Sequence, residues 1–168
     1  MSFYRTKIYV AFDGDSDIHY YYLMKAWTNN DNFDFEINDA HDLNYAKDTS
    51  MEESIKNQLR VRLHNSKAMI LLVGEKTKYL HKFVKWELEY ALKNNLPIIA
   101  VNVNNKRDRD IDRCPAIIRD ELVVHVSFNH KIIKYALDNW PREYVRLKGN
   151  GEKGARYYTD AIYKSYGL

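Results

Sequence analysis

Apolar residues fall in short runs of strand length, separated by stretches with helical spacing. Residues 7–12 are β-rich and apolar and end at the turn-like Asp13-Gly14-Asp15-Ser16-Asp17. Those aspartates supply N-cap candidates for a helix over residues 18–28, crowded with Tyr20, Tyr21, Tyr22 and Trp27. Residues 33–37 alternate as a short second strand, and a polar loop runs to Thr49. Ser50-Met51-Glu52-Glu53 reads as a capping box, with the hydroxyl at the N-cap and a carboxylate three residues on. It opens a helix to His64 whose buried face is marked by Ile55, Leu59 and Leu63. Residues 69–73 are apolar throughout, as expected of a strand covered on both faces. They end at Gly74, and after a polar loop a helix carries Trp86, Glu87, Tyr90 and Ala91.

Residues 96–103 predict a fourth strand, started by Pro97, and residues 122–126 a fifth. Between them residues 104–114 read as a charged, solvated loop, followed by a short helical turn over 115–120. A helix is expected over residues 130–139, broken by Pro141. A turn at Gly149-Asn150-Gly151 leads to a final helix over residues 155–166, whose tyrosines pack on the domain or on a second copy.

Five alternations of strand and helix predict an α/β fold: a five-stranded, mainly parallel sheet with helices on both faces and a C-terminal helical extension. Residues 1–128 form the expected core, and residues 129–168 complete or extend the same domain. In such sheets ligands bind beyond the carboxyl ends of the strands. The loops there begin at Asp13, Asn38, Gly74, Asn102 and Ser127.

Composition narrows this little. The 168 residues suit one domain with a core of its own, and the net charge of +3 is too small and too mixed for a nucleic-acid footprint. One cysteine, Cys114, excludes an internal disulfide and suits a reducing compartment. No apolar run approaches a membrane span, so a soluble, cytoplasmic protein is expected. The six histidines show no metal spacing, and neither dinucleotide-fold nor phosphate-loop glycine patterns occur.

The candidates that remain are carboxylates at strand ends: Asp13, Asp15, Asp39 and Glu87. A phosphoacceptor receiver would need an aspartate ending the third strand and a lysine ending the fifth, where this chain has Val73-Gly74 and Ser127-Phe128. A strand-end carboxylate can instead hold ribose hydroxyls or stabilise an oxocarbenium-like cation. Spacing alone favours Glu87 as a first-turn residue suited to the helix dipole, and Asp13 and Asp39 as turn or cap residues.

The stretch from Asn65 to Leu92 resembles the core signature of Toll/interleukin-1 receptor (TIR) domains. An Asn-Ser pair precedes the third strand, and after a loop comes Phe83-Val84-Lys85-Trp86-Glu87. It is most similar to the bacterial branch typified by Thoeris antiphage ThsB proteins, through Gly74, Thr77, Val84, Trp86 and Glu87, with Phe12-Asp13 and the segment from Phe35 to Asp39 also fitting. Phe83 stands where the usual tryptophan stands, and the loop before it is about one residue longer.

The resemblance implies a flavodoxin-like TIR domain and an NAD nucleosidase of ADP-ribosyl cyclase type. Such an enzyme cleaves the nicotinamide–ribose bond and makes a cyclic ADP-ribose-type signal for an effector. Glu87 becomes the catalytic residue, and Phe12, Asp13, Asp39, Thr77 and Trp86 line the substrate pocket. NAD is then substrate rather than cofactor, and no metal is implied. A phage-derived trigger, a homo-oligomer when active, and no nucleic-acid or membrane partner are also implied. The competing expectations are a non-enzymatic sensing or assembly module and a nucleoside transferase-like enzyme.

Overall fold

A computed structural model describes residues 7–30, 33–38 and 52–168. Five β-strands pair in parallel in the order β2-β1-β3-β4-β5, and a sixth, β6, extends the sheet beyond β5. They are β1 (Lys7–Ala11), β2 (Glu36–Asn38), β3 (Ala68–Val73), β4 (Ile98–Asn102), β5 (Val123–Ser127) and β6 (Ala155–Tyr157). Between them lie α1 (Ile18–Trp27), α2 (Glu52–His64), α3 (Val84–Lys93) and α4 (His130–Gly149), with α5 (Asp160–Ser165) at the end.

Two-residue alternation along the strands splits the core into two layers. Ile8, Val10, Phe12, Ile70 and Leu72 face one side, with Met24 of α1 and Ile133, Leu137 and Trp140 of α4. Tyr9, Ala11, Met69, Leu71 and Val73 face the other, with Ile55, Leu59 and Leu63 of α2 and Val84, Leu88 and Ala91 of α3. Every residue of β3 is buried, as its unbroken apolar run requires of a central strand covered on both faces.

The tail departs from expectation in two places. Residues 155–157 are a strand rather than the start of a helix, with Val123 opposite Ala155 and His125 opposite Tyr157. The helix starts only at Asp160 because Thr159 caps it, its hydroxyl accepting from the Ile162 amide. Pro141 does not end α4. Only one intrahelical donor is lost there, and the buried face continues through Trp140, Tyr144 and Leu147, which outweighs a cost of about 3 kcal/mol.

The charged loop after β4 is also more tightly tied than a solvated loop. Asn102 donates to the carbonyls of Lys106 (3.0 Å) and Asp108 (2.6 Å). Asp110 is buried and accepts from the amides of Asp112 and Arg113 and from Asn104. The capping serine Ser50 and the loop before it lie outside the described residues, and α2 is described from Glu52. No helix among the described residues is long and apolar enough to cross a membrane.

Candidate active site

The loops that leave β1 and β3 at their carboxyl ends are knotted together. Gly74 follows β3, and a Cβ placed on it would lie 2.3 Å from Oδ1 of Asp17, so the close approach requires glycine. The Gly74 amide donates to the Thr77 hydroxyl (2.8 Å), whose own proton has the Leu72 carbonyl (3.1 Å) and Asp17 (3.4 Å) within reach. Asp17 stands at the N-cap of α1, but its side chain makes no capping bond there. Burial raises the Asp17 carboxyl to about 6, with the neighbouring Asp13 adding to the rise and the Thr77 hydroxyl opposing it. Thr77, expected to line a pocket, spends its hydroxyl inside this knot.

Asp13 lies just beyond β1 and is 2 % exposed. Its Oδ1 accepts from the amides of Asp15 and Ser16, 3.2 Å each. Its Oδ2 lies 2.8 Å from Nδ1 of His81, a half-exposed residue on the segment before α3. Leu80 and Lys82, on either side of His81, have φ values of 53° and 55°. For residues with a Cβ that left-handed backbone costs roughly 1 kcal/mol or more each.

Glu87 sits in the first turn of α3, where the helix dipole favours a carboxylate. The alternation of β1 turns Tyr9 toward the same layer. Glu87 is 1 % exposed, and neither of its oxygens has a hydrogen-bond partner among the described residues. Burial raises its carboxyl to about 7, while the Tyr9 hydroxyl acts on it in the opposite direction without a hydrogen bond of normal geometry forming. Burial, and then the charge of Glu87, push the Tyr9 phenol well above its ordinary value, while Arg62 pulls it down. The Tyr9 hydroxyl and Nη1 of Arg62, on α2, are likewise buried without a partner among the described residues. A carboxylate, a phenol and a guanidinium nitrogen, each unsatisfied, therefore gather in one layer. Buried polar atoms are rarely left so, and a cluster of them is what a polar ligand would complete.

The remaining expected residues are placed differently. Trp86 is half-buried beside Tyr90 (5.8 Å), with the Arg60 guanidinium 5.4 Å from its ring centroid. Phe12 falls on the other face of the sheet from Glu87, stacked on Tyr21 at 4.8 Å and 17°. Asp39 lies outside the described residues. A half-open groove of about 700 Å³, lined by Trp27, His130, Lys134 and Tyr166, belongs to the Phe12 face and is remote from Glu87. Sequence reasoning missed Tyr9, His81 and Arg62. Strand parity would have found Tyr9, whereas no sequence signal joins His81 to Asp13.

Among families of known proteins, that of the Thoeris protein ThsB, TIR-like domain, matches residues 9–108. This span runs from Tyr9 through the Asp17–Gly74–Thr77 knot and Glu87 to the loop after β4. A match over more than half of the sequence, on a parallel sheet with this strand order, assigns the chain to the ThsB TIR-like domain family.

Proposed function

We propose that this protein is an enzyme of a Thoeris-type antiphage system that cleaves NAD at the nicotinamide–ribose bond and releases a cyclic ADP-ribose-type signal. The observation that carries the reading is Glu87: a carboxylate 1 % exposed, in the first turn of α3, with both oxygens unpartnered among the described residues. The C1′–N bond breaks with its electron pair passing to the pyridinium ring, so nicotinamide leaves neutral and needs no strong acid. Positive charge then grows at the anomeric carbon. Glu87, ionised once the cationic nicotinamide ring is beside it, offsets that charge in a water-poor site and accepts from the ribose hydroxyls. Arg62 takes the anionic part of the substrate, and the Tyr9 phenol stands beside the carboxylate. The signal would act on an effector protein, and a phage-derived trigger and self-association would switch the enzyme on.

The test is chromatography and mass spectrometry of NAD incubated with lysate of phage-infected cells, comparing wild type with Glu87→Gln. Nicotinamide with a cyclic isomer or ADP-ribose is expected from the wild type alone. Equal turnover by a folded Glu87→Gln variant would refute the reading. A non-enzymatic assembly module draws on the same burial, because a carboxylate so enclosed admits substrate only after rearrangement. Under that reading NAD stays intact with the trigger present, while the protein still changes its oligomeric state.

A further inference from the structure

Resting on the NAD-cleaving reading, the geometry points to Asp13 and His81 as a dyad in which His81 is the general base that deprotonates the nucleophile capturing the ribosyl cation. The carboxylate of Asp13 is buried, and one of its oxygens is committed to two backbone amides. The other meets Nδ1 of His81 at 2.8 Å, so that nitrogen carries the proton and donates it. Nε2 is then an acceptor on a half-exposed ring. A carboxylate that fixes the tautomer of a half-exposed histidine and leaves its second nitrogen as an acceptor is the arrangement needed for a base.

Three further features bear on this. The left-handed residues Leu80 and Lys82 bracket His81, and such strain persists where the surroundings hold a side chain in a required position. Lys82 also reaches Asp15 (3.7 Å), and the Tyr79 ring stacks on the imidazole at 5.8 Å and 23°. Finally, the β1 segment meets both groups: Tyr9, within the strand, lies beside Glu87 in the first turn of α3, and Asp13, beyond its end, pairs with His81 on the segment before α3. Glu87 is thus the buried group and His81 the half-exposed one along the same strand and its end.

Glu87 stabilises the cation and His81 serves the second half of the reaction. As the nucleophile's oxygen bonds to C1′, its O–H proton passes to Nε2 of His81. The imidazolium charge is balanced by Asp13, and the proton then goes to solvent. The nucleophile is water or a hydroxyl of the substrate itself. Asp13 acts through His81 and is a positioning residue.

The test follows net product from NAD and the exchange of labelled nicotinamide into NAD, using the full chain activated with lysate of phage-infected cells. In His81→Gln, net product should fall about 100-fold. Nicotinamide exchange should persist, because the cation still forms and returns, and the KM for NAD should stay near the wild-type value. Azide, an anion with no proton to lose, should restore turnover as ADP-ribosyl azide in His81→Gln but not in Glu87→Gln. Asp13→Asn should show the same exchange-to-product shift more weakly. Loss of exchange and product together in His81→Gln, a raised KM, or no azide rescue would overturn the role while leaving NAD cleavage standing. Wild-type turnover in His81→Gln would do the same. A wild type that leaves NAD intact overturns the cleavage reading, and this role with it.

Discussion

Replacing Glu87 with glutamine should make the protein more stable in alkaline conditions while abolishing its chemistry. In the folded chain the carboxyl is held at about 7, against 4.5 for the unperturbed group. The native state therefore keeps a proton between those values that the unfolded state releases. The stability associated with this group is fully present below pH 4.5 and is lost as pH rises through 7. At ~1.4 kcal/mol per unit, the loss is about 3 kcal/mol. Glutamine cannot ionise and has no such loss. Urea unfolding of both proteins at pH 5 and pH 8 isolates this loss, because Asp17 and His125 titrate alike in both and cancel. About 2.5 kcal/mol of it falls between pH 5 and pH 8, so with a slope of about 2 kcal/mol per molar urea the midpoint of Glu87→Gln should gain about 1.2 M on the wild type between the two pH values. Parallel midpoints would show that Glu87 is not desolvated in the folded protein, and the electrostatic argument for its catalytic role would fall with that.

Three other perturbations test the structure. His125 is fully buried with neither ring nitrogen hydrogen-bonded among the described residues, and burial lowers it from 6.5 to about 4. The unfolded state binds the proton first, so stability is lost as pH falls from 6.5 toward 4, by about 3 kcal/mol. Unfolding of His125→Phe should lack that acid loss. Gly74→Ala forces a Cβ against Asp17 and should cost about 1–3 kcal/mol, partly recovered in the double variant with Asp17→Ala; thermal unfolding measures both. Arg62→Met should weaken ADP-ribose binding to the Glu87→Gln protein about tenfold in calorimetry and leave adenosine binding unchanged.

How far the sequence carried each feature depended on how local its cause is. β3 and α3 were legible because an apolar run and a helical face are written in neighbouring residues. β6 was not, since three residues become a strand only because β5 offers them an edge. Pro141 misled because the packing that carries α4 through it comes from a sheet face built by strands distant in the chain. At the site, Glu87 was reached through a resemblance rather than through spacing. His81 was invisible, as its partner Asp13 is 68 positions away in the chain. Phe12 was drawn toward the pocket by the resemblance, although period-two alternation aligns it with Ile8 and Val10 and away from Tyr9.

The division of the core by a single sheet also gives an experimenter two optical windows. Trp140 is sealed in the α1/α4 layer, whereas Trp86 is half-buried in the α2/α3 layer beneath the Arg60 guanidinium. Fluorescence from variants keeping only one of these indoles would separate events at the Glu87 face from softening of the opposite layer. A nucleotide settling near α3 would change the emission of one indole, and loosening of α4 would change the other.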